Sequence, residues 1–274
     1  FMVNPANPSA YSLPLDNIQK IGKIVNSSRK DLIILSDNVY APFVDEYNSL
    51  MYSCPKNTIE IFSLSKYFGV TGWRLGITMI RKDNNFNKLL SKIPESRKKI
   101  LNKRYDIAST TPSKLTFMER LVLDSRQVTE AHTGGLSTPQ QTILSMFLFF
   151  DMIDKKNIYK KEIQDILLKR IKLLYKDFKT LPDINKKSTN YYSLINILEI
   201  TELLYGKKAK QNFMKHHYLH FLFHLANKYQ TVLLPGKGFG ANKWVYRASL
   251  ANLSSENYLK IGKNIKKAIY DIVK

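Results

Sequence analysis

The sequence is poor in cysteine, in acidic residues and in long hydrophobic runs. Cys54 is the single cysteine among 274 residues, which excludes a disulfide framework and predicts a reducing, cytoplasmic environment. No run of about 18 apolar residues is present, which argues against a membrane-spanning helix. The first residues, "FMVNPANPSAY", also lack the basic and apolar regions of a signal peptide. With 44% hydrophobic residues, the chain can form one large or two modest domains.

The shortage of acidic residues leaves a large positive charge. Asp and Glu number 22 against 43 Lys and Arg, so the formal net charge is +21. Such an excess can mark a nucleic-acid binder. In segments such as "KKEIQDILLKRIKLLYKDFK", however, the lysines alternate with apolar residues at helical spacing, as on the solvated face of an amphipathic helix. We therefore expect neither a nucleic-acid nor a membrane partner.

Short apolar runs near the N-terminus predict a sheet. "DLIILSDNVY", "TIEIFSLS" and "RLGITMI" are typical of strands, and the first follows a helical pattern in "LDNIQKIGKIVNSSRK". Near-continuous apolar strands alternating with helices indicate an α/β fold with a mainly parallel sheet buried on both faces. Ligands gather at the ends of such strands, where Asp37 and Lys66 lie.

The second half of the chain predicts a different kind of unit. Long helices are expected between 86 and about 157, followed by one amphipathic helix over 158–181. After it come a strand in "NYYSLINIL", one helix in "KAKQNFMKHHYLHFLFHLANKY", two short strands and a final helix. We predict two domains, 1–150 and 151–274, of which the second is α+β.

The segment "SLSKYFGVTGWRLG" places a lysine among groups that suit pyridoxal phosphate. A lysine can form a Schiff base with a carbonyl cofactor. This cofactor also needs an acid at its pyridine nitrogen, donors to its phenolic oxygen and an anion cradle for its phosphate. Asp37, Tyr40, Ser63 and Arg74 are candidates for these roles beside Lys66. Taken singly, each has an ordinary explanation, such as a turn at a strand end for the Asp-x-x-Tyr pattern.

Three motifs together, "NPANPS", "SDNVY" and "SLSKYFGVTGWRLG", resemble the signatures of the fold-type I, class I/II pyridoxal-phosphate aminotransferases. The resemblance implies that Lys66 is the Schiff-base lysine and the proton shuttle, and that Asp37 pairs with the pyridine nitrogen. It implies that Ser63 and Arg74 hold the phosphate and that Tyr40 reaches the phenolic oxygen. By the same resemblance, 1–150 is part of the cofactor-binding large domain and 151–274 is the small domain.

The resemblance also suggests substrate-binding residues. Asn7, the second asparagine of "NPANP", matches a position that reaches the phenolic oxygen and lies near the substrate carboxylate. Arg247, in "WVYRASLANL", matches the place where the family keeps an arginine for the substrate α-carboxylate. A lone arginine on a strand is usually a surface residue, so the functional interpretation of Arg247 depends on the Lys66 motif.

Over its whole length the chain resembles the branch of this family that decarboxylates aspartate. An inserted helical segment at about 85–126 separates this branch from ordinary aspartate aminotransferases. The resemblance implies conversion of L-aspartate to L-alanine and CO₂, side aminotransferase activity, and homo-oligomers based on dimers. It also implies that the loop "HTGGLSTPQQ", with His132, faces a neighbouring subunit.

Two alternatives remain, an ordinary class I aminotransferase and a non-catalytic truncated remnant. "FMVNP" resembles the end of a buried strand, which predicts a fragment that corresponds to the C-terminal half. The phosphate-binding turn and the ring-stacking aromatic residue of the family are then expected upstream of Phe1. We therefore expect the chain to be inactive alone.

Three histidines recur at a spacing that can bind zinc. His216, His220 and His224 are four residues apart in "KHHYLHFLFH". The segment carries no Asp or Glu and does not match HExxH. We interpret it as the polar face of a packed helix and predict no metal site.

Overall fold

The computed structural model describes residues 1–127 and 136–274, so His132 lies outside the described residues. The chain divides into two compact units. The first contains 1–2, 14–39 and 48–155, and the second contains 3–13, 40–47 and 156–274. The assignment of 1–150 and 151–274 to a cofactor-binding domain and a small domain stays a prediction.

A four-stranded sheet organises the first unit. Its strands lie in the order β1 (Met2–Val3), β2 (Ile34–Asp37), β3 (Thr58–Ser63) and β4 (Gly76–Ile80), and β1 spans the division between the units. β2 and β3 are parallel, as the apolar patterns predict. β4 pairs antiparallel with β3. The connection 64–75 holds only a one-turn helix, α2 (Leu64–Tyr67), and a 3₁₀ turn rather than the long crossover helix that usually joins parallel strands.

Burial is uneven across this sheet. β2 alternates buried and half-buried residues, and the first half of β3 is buried on both faces. β4 is exposed along most of its length, in contrast to the prediction of a sheet buried on both faces. Because β4 ends the strand order of the described sheet, one of its edges has no neighbouring strand.

Helices make up the rest of the first unit. α1 (Leu15–Ser27) buries Ile18, Gly22 and Val25, a spacing that follows its amphipathic pattern. The predicted insertion at about 85–126 forms three helices, α3 (Phe86–Ser91), α4 (Glu95–Lys103) and α5 (Phe117–Gln127). α6 (Thr138–Ile153) then begins at a capping box formed by Ser137 and Gln140.

The second unit is α+β. Its three-stranded antiparallel sheet has the order β5 (Tyr192–Asn196), β7 (Val245–Ser249) and β6 (Leu234–Pro235). Its helices are α7 (Ile158–Tyr175), α8 (Ile197–Met214), α9 (Tyr218–Tyr229) and α10 (Ser255–Val273). α7 and α10 pack so closely that a Cβ on Gly262 would overlap the carbonyl oxygen of Leu174. Glycine is therefore required at this crossing.

Three predicted boundaries differ from the structure. The single helix predicted through "KAKQNFMKHHYLHFLFHLANKY" is two helices, because His217 is the N-cap of α9 and accepts a hydrogen bond from Leu219 N–H. The strand predicted in "NYYSLINIL" ends at Asn196, whose side chain caps α8. α7 ends at Tyr175 rather than at 181, shortly before a left-handed residue at Lys179. Within the described ranges, no helix is both long and apolar enough to cross a membrane.

Candidate active site

The predicted site residues fall into both units. The first unit holds Asp37, Ser63, Lys66 and Arg74, and the second holds Asn7, Tyr40 and Arg247.

The first group forms where the parallel strands end. Asp37 is the last residue of β2 and Ser63 is the last residue of β3. Register aligns Asp37 with Ile61, two residues before Ser63, so both predicted site residues belong to the same end of the sheet. The Asp37 carboxylate accepts a hydrogen bond from Val39 N–H at 3.1 Å, which holds it at the strand end.

Lys66 lies within the one-turn helix α2. Ser63 is the N-cap of this helix, and its Oγ accepts a hydrogen bond from Ser65 N–H at 3.2 Å. Lys66 is half-buried in the last turn. The cap therefore holds the lysine one helical turn beyond the end of β3.

Arg74 lies near the same end of the sheet, two residues before the start of β4. β4 is antiparallel to β3, and its first residue, Gly76, pairs with Ser63. The backbone of Arg74 is left-handed (φ 54°, ψ 44°), which is strained for a residue with a side chain. Its Nη1 donates to the carbonyl oxygen of Thr71 at 2.9 Å, and the residue is exposed. An exposed cation on a strained backbone suits an anion-binding role.

The second group surrounds Arg247 in β7. Arg247 Nη1 donates to Asn7 Oδ1 at 2.9 Å. The guanidinium carbon lies 4.5 Å from the ring centroids of both Tyr192 and Phe239, in cation–π geometry. Arg247 Nε is buried and, within the part of the chain that the structure describes, has no hydrogen-bond partner. The Asn7 amide and the two rings therefore orient the guanidinium. Its Nε remains available to donate to an acceptor from outside the chain.

Tyr40 joins this group through Tyr192. The two hydroxyl groups lie 2.8 Å apart, and Tyr40 is only 5% exposed. Burial, and then the hydrogen bond with Tyr192, raise the pKa of the Tyr40 hydroxyl far above its ordinary value. Tyr40 is therefore a neutral phenol that can donate one hydrogen bond across the physiological pH range.

Tyr192 and Phe239 are site residues that the sequence analysis missed. In the β5–β7 register Leu194 pairs with Arg247, and Tyr192 precedes Leu194 by two residues. Side chains two apart in a strand share a face, so Tyr192 lies diagonally beside Arg247. The alternation in "NYYSLIN" predicts which face of the strand carries Tyr192. That Arg247 is its neighbour follows only from the pairing of the two strands.

The three histidines contact other groups. The rings of His216 and His220 stack with centroids 4.9 Å apart, and His224 Nε2 lies 2.9 Å from Asp271 Oδ2. His216 precedes α9, so the three do not share one helix. Within 1–127 and 136–274, no group of three or more His, Cys, Asp or Glu could hold a metal ion.

The family is decided by comparison with known proteins. The sequence profile described as Aminotransferase class I and II matches residues 1–265. The chain belongs to this family. It is 41% identical, over 97% of its length, to a protein of Pseudomonas sp named bifunctional aspartate aminotransferase and L-aspartate beta-decarboxylase. It is 26% identical, over 94% of its length, to an aspartate aminotransferase of Sulfolobus acidocaldarius.

Solved structures confirm the α/β fold. Cystalysin from Treponema denticola, a structure that contains pyridoxal 5'-phosphate, aligns with a TM-score of 0.63 at 14% identity. An aspartate aminotransferase from Thermotoga maritima aligns with a TM-score of 0.62 at 16% identity. Each alignment covers 98% of this chain. Together with the family profile, these alignments confirm the predicted α/β fold of pyridoxal-phosphate-dependent transferases.

The alignments cover nearly all of this chain but only about half of each matched protein. The alignments cover 50% of the Pseudomonas protein, 52% of the Sulfolobus protein and 57% and 56% of the two solved chains. The chain thus spans about half the length of the curated relatives that it matches end to end.

Proposed function

We propose that this chain carries the catalytic lysine and the substrate arginine of a pyridoxal-phosphate enzyme that converts L-aspartate to L-alanine and CO₂ and also transaminates aspartate. Membership in the class I and II aminotransferases supports the coarser part of this proposal. The 41% identity to the bifunctional Pseudomonas protein, which extends through the insertion that contains α3, α4 and α5, supports the decarboxylase part.

The chemistry of the donor set fits pyridoxal phosphate. The first unit supplies an amine for the carbonyl (Lys66), a carboxylate for the pyridine nitrogen (Asp37), and a hydroxyl and a guanidinium for the phosphate (Ser63 and Arg74). All four lie at the ends or starts of three adjacent strands. Tyr40 and Asn7 remain proposed partners of the phenolic oxygen. The neutral Tyr40 phenol has the proton that this hydrogen bond requires.

The residues divide the chemistry between them. When bound, pyridoxal phosphate supplies an electron sink that stabilises negative charge at the substrate Cα. Lys66 holds the cofactor covalently and afterwards carries the proton from Cα. Asp37 keeps the pyridine nitrogen protonated by its negative charge. Ser63 and Arg74 fix the position of the phosphate, so the lysine and the reacting carbon stay aligned.

Arg247 is the proposed binding residue for the substrate carboxylate. A guanidinium binds a carboxylate through two parallel hydrogen bonds, and Arg247 has a buried Nε without a partner in the described part of the chain. Tyr192 and Phe239 both contact the guanidinium with their rings and restrict its motion, which reduces the entropy lost on binding. We assign the α-carboxylate of aspartate to this donor, with Asn7 as its orienting neighbour.

The setting of the enzyme is also part of the proposal. The single buried cysteine fits a reducing cytoplasm. The scattered lysines fit a solvated surface with a small-molecule substrate rather than a nucleic-acid partner. Resemblance to the aspartate-decarboxylating branch supports a homo-oligomer built from dimers.

Covalent trapping tests the lysine and the cofactor together. The purified chain is mixed with pyridoxal phosphate, reduced with borohydride and mapped by mass spectrometry. We expect one dominant adduct on Lys66 and its loss in Lys66→Ala. Lys56→Ala is the control, because Lys56 is an exposed lysine of the same unit. Adducts spread equally over many lysines, and unchanged in Lys66→Ala, would contradict the assignment.

Isotope tracing separates the decarboxylase from an ordinary aminotransferase. The holoenzyme, which includes the upstream segment that the resemblance implies, is given L-aspartate labelled at its β-carboxylate carbon. We expect labelled CO₂ and unlabelled alanine in equal amounts. Labelled oxaloacetate without labelled CO₂ would favour the aminotransferase, while neither product with an intact Lys66 adduct would favour a non-catalytic remnant.

A further inference from the structure

The inserted segment encloses a cavity that the proposed reaction does not use. It has a volume of about 550 Å³ and lies among α3, α4 and residues 113–116. Its charged and hydroxyl-bearing lining side chains include Glu95, Lys98, Ser113, Lys114, Thr116 and Arg120. All of these residues belong to the first unit.

Arg120 is the buried member of this lining. It is only 7% exposed, and its guanidinium lies 5.0 Å from the centroid of the Tyr105 ring. Its Nε donates to Leu115 O at 3.1 Å. Its Nη2 donates to Asn102 Oδ1 at 2.9 Å and to Pro112 O at 2.7 Å. These bonds account for three of its donors and fix the plane of the guanidinium.

The remaining nitrogen of Arg120 has no such partner. Nη1 is buried, and within residues 1–127 and 136–274 it makes no hydrogen bond. An unpaired donor on a buried cation is costly, because this N–H group has lost its hydrogen bonds to water without a replacement. Since Arg120 lines the cavity, a ligand there can satisfy this donor.

The charges around the cavity favour an anion. Lys98 and Lys114 line it together with Arg120, and Glu95 is the single carboxylate among the lining residues. Glu95 is itself paired with Lys98 at 3.4 Å and is 72% exposed. Ser113 adds a hydroxyl that can donate. The lining thus has an excess of cations and of hydrogen-bond donors.

We propose that this cavity is a second ligand site, which binds a small oxyanion, either a carboxylate or a phosphate. Arg120 Nη1 donates the central hydrogen bond, and Lys98 and Lys114 supply further positive charge. The proposal does not depend on the reaction assigned to Lys66, because no residue is shared.

Lysine footprinting tests the site directly. The chain is acetylated with a limiting reagent in the presence of sodium succinate or of inorganic phosphate, and each lysine is followed by mass spectrometry. We expect slower acetylation of Lys98 and Lys114 with at least one of the two anions. Lys99 is the internal control, because it is an exposed lysine next to Lys98 that does not line the cavity. Equal rates with and without both anions would overturn the proposal.

Substitutions then assign the contact. Arg120→Lys keeps the charge and loses the fixed fork, so we expect the affinity measured by calorimetry to fall about ten-fold or more. Because Arg120 also anchors the 112–115 segment, Lys114→Ala provides a second variant at an exposed position, for which we expect a smaller, salt-sensitive loss. Unchanged affinity in both variants would reject the site.

The proposed active site needs a separate control, since Arg74 and Arg247 can bind the same anions. Footprinting is repeated in Arg74→Ala and Arg247→Ala. We expect protection of Lys98 and Lys114 to persist in both variants. Protection lost in these variants would locate the anion at the cofactor or substrate site and overturn the proposal. Protection by succinate alone identifies a carboxylate ligand, and protection by phosphate alone identifies a phosphate ligand.

Discussion

At the scale of single residues, Arg247 shows how contacts can orient a cation without neutralising it. An amide oxygen and two ring faces hold its guanidinium, and Nε remains buried without a partner among the described residues. Most buried donors in proteins have a hydrogen-bond partner, so an unpaired one beside two rings and an amide favours a ligand-binding role. We therefore place the substrate carboxylate, rather than a carboxylate of the chain, opposite this group.

Arg247→Lys tests that placement. Lysine keeps the charge but loses the planar fork, so we expect the KM for aspartate to rise about ten-fold or more, with a smaller change in kcat. Steady-state kinetics of the holoenzyme measure both constants. Lys243→Ala is the control, because it removes an exposed cation four residues away. A KM that is unchanged in Arg247→Lys would remove this residue from the substrate site.

The Tyr40–Tyr192 pair offers a second residue-scale prediction. We expect Tyr40→Phe and Tyr192→Phe each to lower the free energy of unfolding by about 1 kcal/mol, because each leaves one hydroxyl without its partner. The double variant should cost less than the sum of the two single variants. Urea titrations measure the cycle, with Tyr52→Phe, which is 72% exposed, as the neutral control. Strict additivity would show that the two hydroxyls are not coupled.

Sequence could predict which residue types serve this site but not all of their neighbours. Lys66, Ser63 and Arg74 lie in one short motif, so local spacing together with the family resemblance was enough to nominate them. Asn7 and Arg247 are 240 positions apart, and Tyr40 and Tyr192 are 152 apart. Contacts at such separations depend on strand register and chain path, which a single sequence does not encode in its local pattern.

At the scale of elements, apolar periodicity predicted most helices and strands and failed where side chains cap the backbone. Asn196 ends β5 and caps α8, and His217, three residues after the end of α8, caps α9, each through a side-chain acceptor. Ile195 and Ile197 flank Asn196, so the hydrophobic pattern continues across that break. The direction of β4 was similarly hidden, because its five residues are too few to show whether apolar and polar positions alternate.

Asp271 links two helices of the second unit and gives a pH-dependent prediction. Its Oδ2 accepts hydrogen bonds from Lys228 Nζ at 2.8 Å and Tyr229 OH at 2.7 Å and lies 2.9 Å from His224 Nε2. Lys228 first, and then His224 and Tyr229, lower the pKa of the Asp271 carboxyl well below its ordinary value. A lowered native pKa stabilises the fold above the unfolded-state pKa of about 3.9, and this contribution is lost as the pH falls further.

We therefore expect Asp271→Asn to lower the free energy of unfolding by about 1 kcal/mol at pH 7. The difference from the native chain should shrink as the pH falls below about 4, where the unfolded-state carboxyl becomes protonated. Urea titrations at pH 7, 5 and 3.5 measure this trend. Asp165→Asn, at an exposed position on α7, is the matched control. A difference that grows as the pH falls from 5 to 3.5 would contradict the assigned sign.

At the scale of the whole molecule, two surface properties oppose each other. The net charge of +21 makes copies of the chain repel one another at low salt. α6, in contrast, exposes an apolar face at helical spacing, where Met146 is 65%, Phe149 62% and Ile153 58% exposed. Contiguous apolar surface of this kind favours association. Repulsion between distant charges is screened by salt, whereas apolar contact is not.

This balance predicts association of the chain that increases with salt. Between about 0.01 M and about 1 M salt the screening length falls from about 30 Å to about 3 Å, so the repulsion between copies is largely removed. We expect the mass from light scattering to rise over this range, and Ile153→Lys to reduce the rise. Ile107→Lys adds the same charge at a 99% exposed residue away from α6 and should have little effect. Equal effects of the two variants would mean that net charge alone, rather than the apolar face of α6, controls association.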